Sequence, residues 1–541
     1  MKTLEAIIHF FQKLSESAEQ AVVPSGHNPK LKCLINDSRE CSEKSVFVAQ
    51  QGLHHHGLDF LPQVLESGCR VIISDRPVKM HEQALLDQIL ENASPVQLIV
   101  IDNLDQILPE FCHWFYDFPT QKLKVIGITG TNGKTSTAFY CAQLLESKGD
   151  KVAVIGTLGN GSIHQLKATQ NTTPDIIRLT TLLAGFVEAN YEWVVMEVSS
   201  HAIALGRITG FEFYTAAITQ IGSDHLDFHQ TQIDYEQTKL RLFTDYSAKH
   251  HVFNLSDKTV LKFVEDQTQS VFKQLRSEKI LGYCLPDDRY TDNNCEKLLP
   301  DSINLLQAKA AEFYSDGLGF KLLNNESISP EHQKTECHYQ SALLGRFNIE
   351  NLMCAISIVN TCGVDLKTLQ ADVAKLSAVP GRMQIVHHHP TVIIDFAHTA
   401  DALQNLLEAV KVHLNPKEQQ HSLGLVFGCG GDRDRQKRPE MAKVAQEYAD
   451  RIMVTSDNPR KESPQKIIDE ILQGFSETTV VMVEADRMAA IEQMLAQAAS
   501  EDLIVVAGKG HEDYQEIQGV KYPFSDHAVI EQYFERRQIN G

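Results

Sequence analysis

The chain has no stretch of about 18 apolar residues, so nothing in it reads as a membrane span. Its eleven cysteines include no C-x-x-C pair, and scattered reduced thiols are the plain reading in a long chain. Positive charge is in deficit: 50 lysines and arginines stand against 70 acidic residues, a formal net charge of −20. That balance argues against nucleic acid as the main partner. Internal repeats and low-complexity tracts are absent. The opening MKTLEAIIHFFQKLSES has no uninterrupted apolar core. It reads as a surface helix and not as an export signal, so the cytoplasm is the expected compartment.

At 541 residues one core is too few, and the apolar pattern falls into three segments. Residues 1–121 carry short apolar runs such as SVFVA and RVIISD, expected as a small α/β domain. Residues 122–380 open with KVIGI, then GTNGKT, then a helical run; VAVIGT, WVVMEVSS and FYTAAITQI follow at helix-length intervals. That alternation implies a mostly parallel sheet. The stretch near 255–340 is more polar, expected as an insertion or a small antiparallel patch. In residues 381–541, TVIIDF, LGLVFG, RIMVTS, TTVVMVEA and DLIVVAG predict an open, doubly wound sheet. Ligands of such sheets bind beyond the carboxyl ends of strands. Asp395 and His398, GCGGDRDR, SDNPR and GKGHED all follow predicted strands. The His triplets 54–56 and 387–389 are expected in surface loops, since adjacent side chains diverge.

Gly130-Thr-Asn-Gly133-Lys134-Thr135 lies between a predicted strand and a predicted helix, the context of a phosphate loop. Backbone N–H groups there cradle phosphate, Lys134 would meet the β- and γ-phosphates, and Thr135 would hold Mg²⁺. The usual first glycine is replaced by Ile128, so the motif is a variant. Glu197, at a predicted strand end, is an oxygen ligand suited to Mg²⁺ or simply a helix-start residue. Ser223-Asp224-His225-Leu226-Asp227-Phe228-His229 is dense in acid and histidine for a plain turn. By composition, Lys239 is a surface lysine. ATP, Mg²⁺ and a second centre fit a kinase, a motor ATPase or a ligase.

GTNGKTS, EVSSHAI, SDHLDFH, YEQTKLRLF, GRFNIENLMCAI, PGRMQ, DFAHTADAL, GCGGDRDRQKRPEM, SDNPRKESP and AGKGHEDYQ, in that order, resemble the Mur ligases. Within that family they are nearest to the members that add the third peptide residue. The resemblance implies three domains: an N-terminal UDP-binding one, a central P-loop ATPase and a C-terminal Rossmann-like one. It implies a bacterial cytoplasmic enzyme of peptidoglycan synthesis, expected as a monomer. Such an enzyme would join meso-diaminopimelate to UDP-N-acetylmuramoyl-L-alanyl-D-glutamate through an acyl phosphate.

Residue by residue, the resemblance puts ATP on Gly130, Thr131, Asn132, Gly133, Lys134, Thr135 and Ser136. It adds Asn348, Asn351, Arg382, Asp395 and His398 to that set. Mg²⁺ falls to Thr135, Glu197, His225 and Lys239, with Lys239 carbamylated by CO₂ and Lys134, Lys239 and His225 catalytic. Ser38, Thr172, Thr173, Ser199 and Arg207 match residues that hold the UDP-muramoyl peptide. Arg433, Asp457, Asn458, Arg460, Gly508 and Glu512 match those that hold diaminopimelate, although Arg435 competes with Arg433. Arginine pairs with a carboxylate through two parallel hydrogen bonds, so Arg460 favours diaminopimelate; L-lysine would leave it buried and unpaired. Cys429 is expected as a small packed residue. The competing readings are an L-lysine-adding Mur ligase, a ligase like folylpolyglutamate synthetase, and an inactive scaffold relative.

Overall fold

A computed structural model describes residues 1–14, 28–52, 54–80, 82, 96–169, 171–267, 279–285, 303–314, 316–325, 335–414 and 421–540. Contacts divide the chain into two units. One comprises Met1–Lys134, Lys148–His251 and Lys262–Lys279; the other comprises Thr135–Ser147, Val252–Leu261 and Ile280–Gly541.

In the first unit, Cys33–Ile35, Ser45–Ala49, Val71–Ser74 and Gln97–Val100 form a four-stranded parallel sheet. The N-terminal helix Leu4–Leu14 buries Leu4, Ile7, Ile8 and Phe11, one stripe at helical spacing. Phe10 and Phe11 pack on Phe111 of the helix Leu104–Phe115. A second sheet places Val152–Gly156, Trp193–Glu197, Lys124–Thr129 and Glu212–Ile218 side by side, all parallel. These strands are mostly apolar and largely buried on both faces, as an interior parallel sheet requires. Their carboxyl ends therefore bring Thr157, Glu197, the loop Gly130–Gly133 and the Ser223–His225 segment to one edge.

In the second unit, Ile303–Tyr314, Gly317–Asn325 and Thr335–Ser341 pair antiparallel. Residues 268–278, 286–302, 315 and 326–334 of the stretch 255–340 lie outside the described residues. The C-terminal sheet runs in the order Gln384–His387, Thr391–Asp395, Leu503–Ala507, Leu423–Phe427, Arg451–Val454, Val481–Val483. Its first pair is antiparallel and the rest are parallel. TTVVMVEA yields only the three-residue edge strand Val481–Val483, because an edge strand has one partner and Val480 is exposed.

The His triplets depart from the surface-loop expectation. His56 is buried: its Nε2 lies 2.5 Å from Asp75 Oδ1, and its Nδ1 accepts the Leu58 N–H. It caps the short 3₁₀ turn Gly57–Phe60. His387 ends a strand and stacks on Phe534. In both triplets one ring has structural work while its neighbours face water. Among the described residues no helix is long and apolar enough to cross a membrane.

Candidate functional site

The phosphate loop follows the strand Lys124–Thr129 and leads into the helix Lys134–Glu146. Gly130 has φ of +140°, and a Cβ there would stand 1.9 Å from Thr219 Oγ1, so only glycine fits. The loop is pinned from the next strand end. Thr131 N–H donates to Gln220 O at 2.7 Å, Thr219 Oγ1 donates to Asn132 O at 2.6 Å, and Gly222 N–H donates to Thr131 Oγ1 at 2.8 Å. Lys134 Nζ bends back onto the loop carbonyls of Gly130 and Thr131, at 2.9 and 2.8 Å. Thr135 and Ser136 follow in the first helical turn, Ser136 buried.

Lys239 is not the surface residue its composition suggested. It is 2% exposed, and its Nζ donates to Gly130 O at 2.7 Å. Burial drives its ammonium well below the ordinary lysine range; the Lys134 charge adds to this and Asp224 opposes it. A neutral amine beside a phosphate loop is the form that reacts with CO₂.

Glu197 ends its strand 2% exposed. Its carboxylate accepts from Thr157 N–H at 2.8 Å and Thr157 Oγ1 at 3.2 Å. Thr157 Oγ1 lies 3.1 Å from Thr172 Oγ1. Thr173 Oγ1 donates to Glu197 O at 2.8 Å and accepts Ser199 N–H at 3.0 Å, while Arg207 Nη1 donates to Thr173 O at 2.8 Å. Thr172, Thr173, Ser199 and Arg207 thus form one network around Glu197. Ser38 sits on a separate turn, where its hydroxyl donates to Gln63 Oε1 at 2.7 Å. That turn meets the helix following Thr173 through the ion pair of Glu40 with Arg178. His225 has φ of +52°, and its ring is 4.8 Å from that of His201.

Among the described residues no three His, Cys, Asp or Glu side chains converge as a metal cage. Magnesium is usually held by one or two protein oxygens, water and nucleotide phosphates. Buried Glu197, with oxygen donors around it, fits that mode.

In the second unit, Asn348 and Asn351 lie buried on the helix Arg346–Thr361. Asn348 Oδ1 accepts from Tyr140 OH at 3.0 Å and Asn351 Nδ2 at 3.1 Å. Asp395 ends its strand and accepts the N–H groups of Met383 and Ala397 at 2.8 and 2.7 Å. Burial nevertheless pushes its carboxyl above the usual range. Arg382 and His398 flank it, both exposed.

The carboxyl ends of Arg451–Val454 and Leu503–Ala507 gather the remaining residues. Asp457 and Asn458 are buried, at 5% and 4% exposure. Burial raises the Asp457 carboxyl, with Arg487 and Lys509 pulling the other way. Gly508, at φ of +117°, approaches Asp457 so closely that a Cβ would stand 2.7 Å from its Oδ2. Asn458 Nδ2 donates to Glu512 Oε2 at 2.8 Å. The Arg460 guanidinium has partners of its own, so an L-lysine substrate would not leave it unpaired: Nη1 donates to Gly431 O at 2.9 Å and Nε lies 3.5 Å from Glu516 Oε2. Gly430 lies between two arginines; a methyl there would be 2.8 Å from Arg460 Nη1 and 3.8 Å from Arg433 Cγ. Arg435 instead faces Glu462 at 3.3 Å and Glu470 at 4.0 Å. Cys429 is packed against Met441 Sδ at 3.6 Å, and burial pushes its thiol up to about 12.

Four residues were not assigned from sequence: Thr157, Lys509, Arg487 and Asp526. Lys509 lies inside GKGHED, and nothing in its spacing signals complete burial.

Residues 128–359 match the Mur ligase middle domain, and residues 381–510 match the Mur ligase, glutamate ligase domain. The UDP-N-acetylmuramoyl-L-alanyl-D-glutamate--2,6-diaminopimelate ligase of Haemophilus ducreyi is 35% identical, covering 98% of this chain and 99% of its own. The protein of that name from Coxiella burnetii is 35% identical over 92% of this chain and 94% of its own. A solved structure bearing that name superposes with a TM-score of 0.66 at 30% identity, covering 96% of this chain and 98% of its own. With two domains matched and relatives aligned along nearly its whole length, the chain belongs to the Mur ligase family.

Proposed function

We propose that this chain joins meso-diaminopimelate to the D-glutamyl carboxylate of UDP-N-acetylmuramoyl-L-alanyl-D-glutamate, with ATP converted to ADP and phosphate, in peptidoglycan precursor synthesis. The observation that carries the amino-acid assignment is the gathering of Asp457, Asn458, Arg460 and Glu512 at one sheet edge, with Arg433 beside Arg460. The name shared by full-length relatives supports it.

The chemistry has two steps. The glutamyl carboxylate attacks the γ-phosphorus, forming a carboxyl–phosphate bond and releasing ADP. The substrate amine then attacks the acyl carbon; phosphate leaves and the amine loses a proton. Catalysis of this kind rests on positioning and on neutralising phosphate charge. Backbone N–H groups of Gly130–Gly133 and the Lys134 ammonium hold the transferred phosphate. Thr135, Glu197, His225 and carbamylated Lys239 would hold Mg²⁺, which supplies charge neutralisation at the phosphates when bound. Thr172, Thr173, Ser199 and Arg207 orient the muramoyl peptide, and Ser38 its uridine end. In the second unit, Asn348, Asn351, Arg382, Asp395 and His398 are the candidate nucleotide contacts. Arg460 and Arg433 take the distal carboxylate of the amino acid.

The test is phosphate release from ATP with UDP-N-acetylmuramoyl-L-alanyl-D-glutamate across a panel of amino acids. Release that depends on meso-diaminopimelate is expected. Release with L-lysine alone would move the chain to the lysine-adding reading, and none with any amino acid would overturn the ligase.

A further inference from the structure

We propose that Lys509 is a positioning residue for the amino-acid substrate: its buried ammonium locks the Asn458 side-chain amide in the orientation that offers an N–H to a carboxylate. This rests on the reading of Asp457, Asn458 and Arg460 as the amino-acid site.

Three groups with fixed roles surround that amide. The Glu516 backbone N–H can only donate, and it meets Asn458 Oδ1 at 2.9 Å. The Lys509 ammonium can only donate, and it meets the same oxygen at 3.2 Å. The Glu512 carboxylate can only accept, and it meets Asn458 Nδ2 at 2.8 Å. Turning the amide over would set its NH₂ against an N–H and an NH₃⁺, and its C=O against a carboxylate. The orientation is therefore set by chemistry. Among the described residues Nδ2 donates only to Glu512, which leaves its second N–H for a ligand acceptor. A carboxylate ligand needs such a donor.

Lys509 has a second effect through Glu512. Its Nζ lies 3.0 Å from Glu512 Oε2, an ion pair in which the lysine is fully buried. Asp457, Glu512 and Glu516 already crowd this edge with negative charge, and the distal carboxylate of the proposed zwitterionic substrate must come close to them. Without the Lys509 ammonium, Glu512 would meet that carboxylate uncompensated. Lys509 itself is 0% exposed, so it acts through Asn458 and Glu512 and not by contact. A fold needing only packing here would be served as well by an apolar side chain.

The experiment compares steady-state kinetics of wild type, Lys509→Met, Glu512→Gln and Lys509→Met/Glu512→Gln. For Lys509→Met, KM for meso-diaminopimelate should rise about ten- to a hundredfold, with KM for ATP and for the UDP-dipeptide within about twofold of wild type. Equal changes in all three KM values, or an unchanged KM for the amino acid, would overturn the assignment. Should Lys509→Met fail to fold, the doubly neutral variant decides, since it leaves no uncompensated buried charge. Its KM for the amino acid should exceed that of Glu512→Gln by several-fold; equality would mean that Lys509 does nothing through Asn458. Wild type that turns over meso-diaminopimelate beside an unaffected Lys509→Met overturns this inference alone. Wild type without that turnover overturns the amino-acid reading and this inference with it.

Discussion

The guanidinium of Arg487 and the carboxylate of Asp526 close a two-bond fork, Nε to Oδ1 and Nη2 to Oδ2 both at 2.7 Å, with neither side chain exposed to solvent. The same guanidinium donates to Ser456 O at 3.3 Å and Ala507 O at 3.1 Å. It thereby ties two strand ends, the ones that carry Asp457 and Gly508, to the first residue of the helix Asp526–Asn540. Removing one partner strands a buried charge. Asp526→Ala should therefore cost about 3–5 kcal/mol, read as a lower denaturant midpoint, whereas Arg487→Met/Asp526→Leu should cost much less. A single variant within about 1 kcal/mol of wild type would contradict the bracing role.

Arg438 makes a second buried brace, with pH consequences. Its guanidinium donates to both Glu462 oxygens, at 2.9 and 3.1 Å, and Asp432 N–H adds a bond to Glu462 at 2.6 Å. Chiefly through the Arg438 bond, the Glu462 carboxyl falls from 4.5 to about 2. The unfolded chain therefore takes up this proton before the folded one does. The stability that Glu462 supplies is full above about 4.5 and is lost as pH falls towards 2. Glu462→Gln should flatten the acid limb of a midpoint-against-pH curve in that window. Parallel wild-type and variant curves there would refute the assignment.

Lys134→Ala removes the ammonium now held on the carbonyls of Gly130 and Thr131 and no core volume. The variant should melt as wild type does, and product formation should fall by about a hundredfold or more. A folded Lys134→Ala enzyme with normal turnover would remove the phosphate-loop assignment.

Lys239 offers a chemical test. Its burial favours a neutral amine, and a carbamate formed on it would present oxygens suited to Mg²⁺. Lys239→Ala should lose most activity, and short carboxylates such as acetate should restore part of it. Electron density for a bare amine in a bicarbonate-equilibrated crystal of active enzyme would count against carbamylation.

The parallel sheets were readable in the sequence because strands buried on both faces leave continuous runs such as VAVIG and LIVVA. The edge positions were readable too, since Glu197, Asp395 and SDNPR each follow such a run. Burial of single polar residues was not. Lys239 and Lys509 sit in segments whose composition matches a solvated surface, and what buries them comes from elsewhere in the chain: Gly130 for one, Asn458 for the other. Arg487 and Asp526 are 39 residues apart and belong to no motif. His56 misled for the same reason, because its partner Asp75 lies on another loop.

Selection between diaminopimelate and L-lysine turns on one carboxylate, and Arg460 is the residue proposed to read it. The structure alters the energetics expected from sequence. Arg460 is 22% exposed by side chain and already has the Gly431 carbonyl and Glu516 as partners. Lysine would therefore leave it no orphaned charge, and discrimination must come from what diaminopimelate gains. A carboxylate can replace the long 3.5 Å contact to Glu516 with charge-assisted hydrogen bonds, worth about 1.5–3 kcal/mol each. Wild type should thus prefer meso-diaminopimelate over L-lysine by about ten- to a hundredfold or more in kcat/KM. Arg460→Ala should lose that preference chiefly by losing diaminopimelate turnover, with lysine turnover little changed. Arg460→Lys keeps the charge but not the fork, and should recover only part of the preference. Comparable kcat/KM for the two amino acids in wild type would end the specificity assignment and leave the ligase standing. A preference that survived Arg460→Ala would shift the role to Arg433, the other arginine beside Gly430.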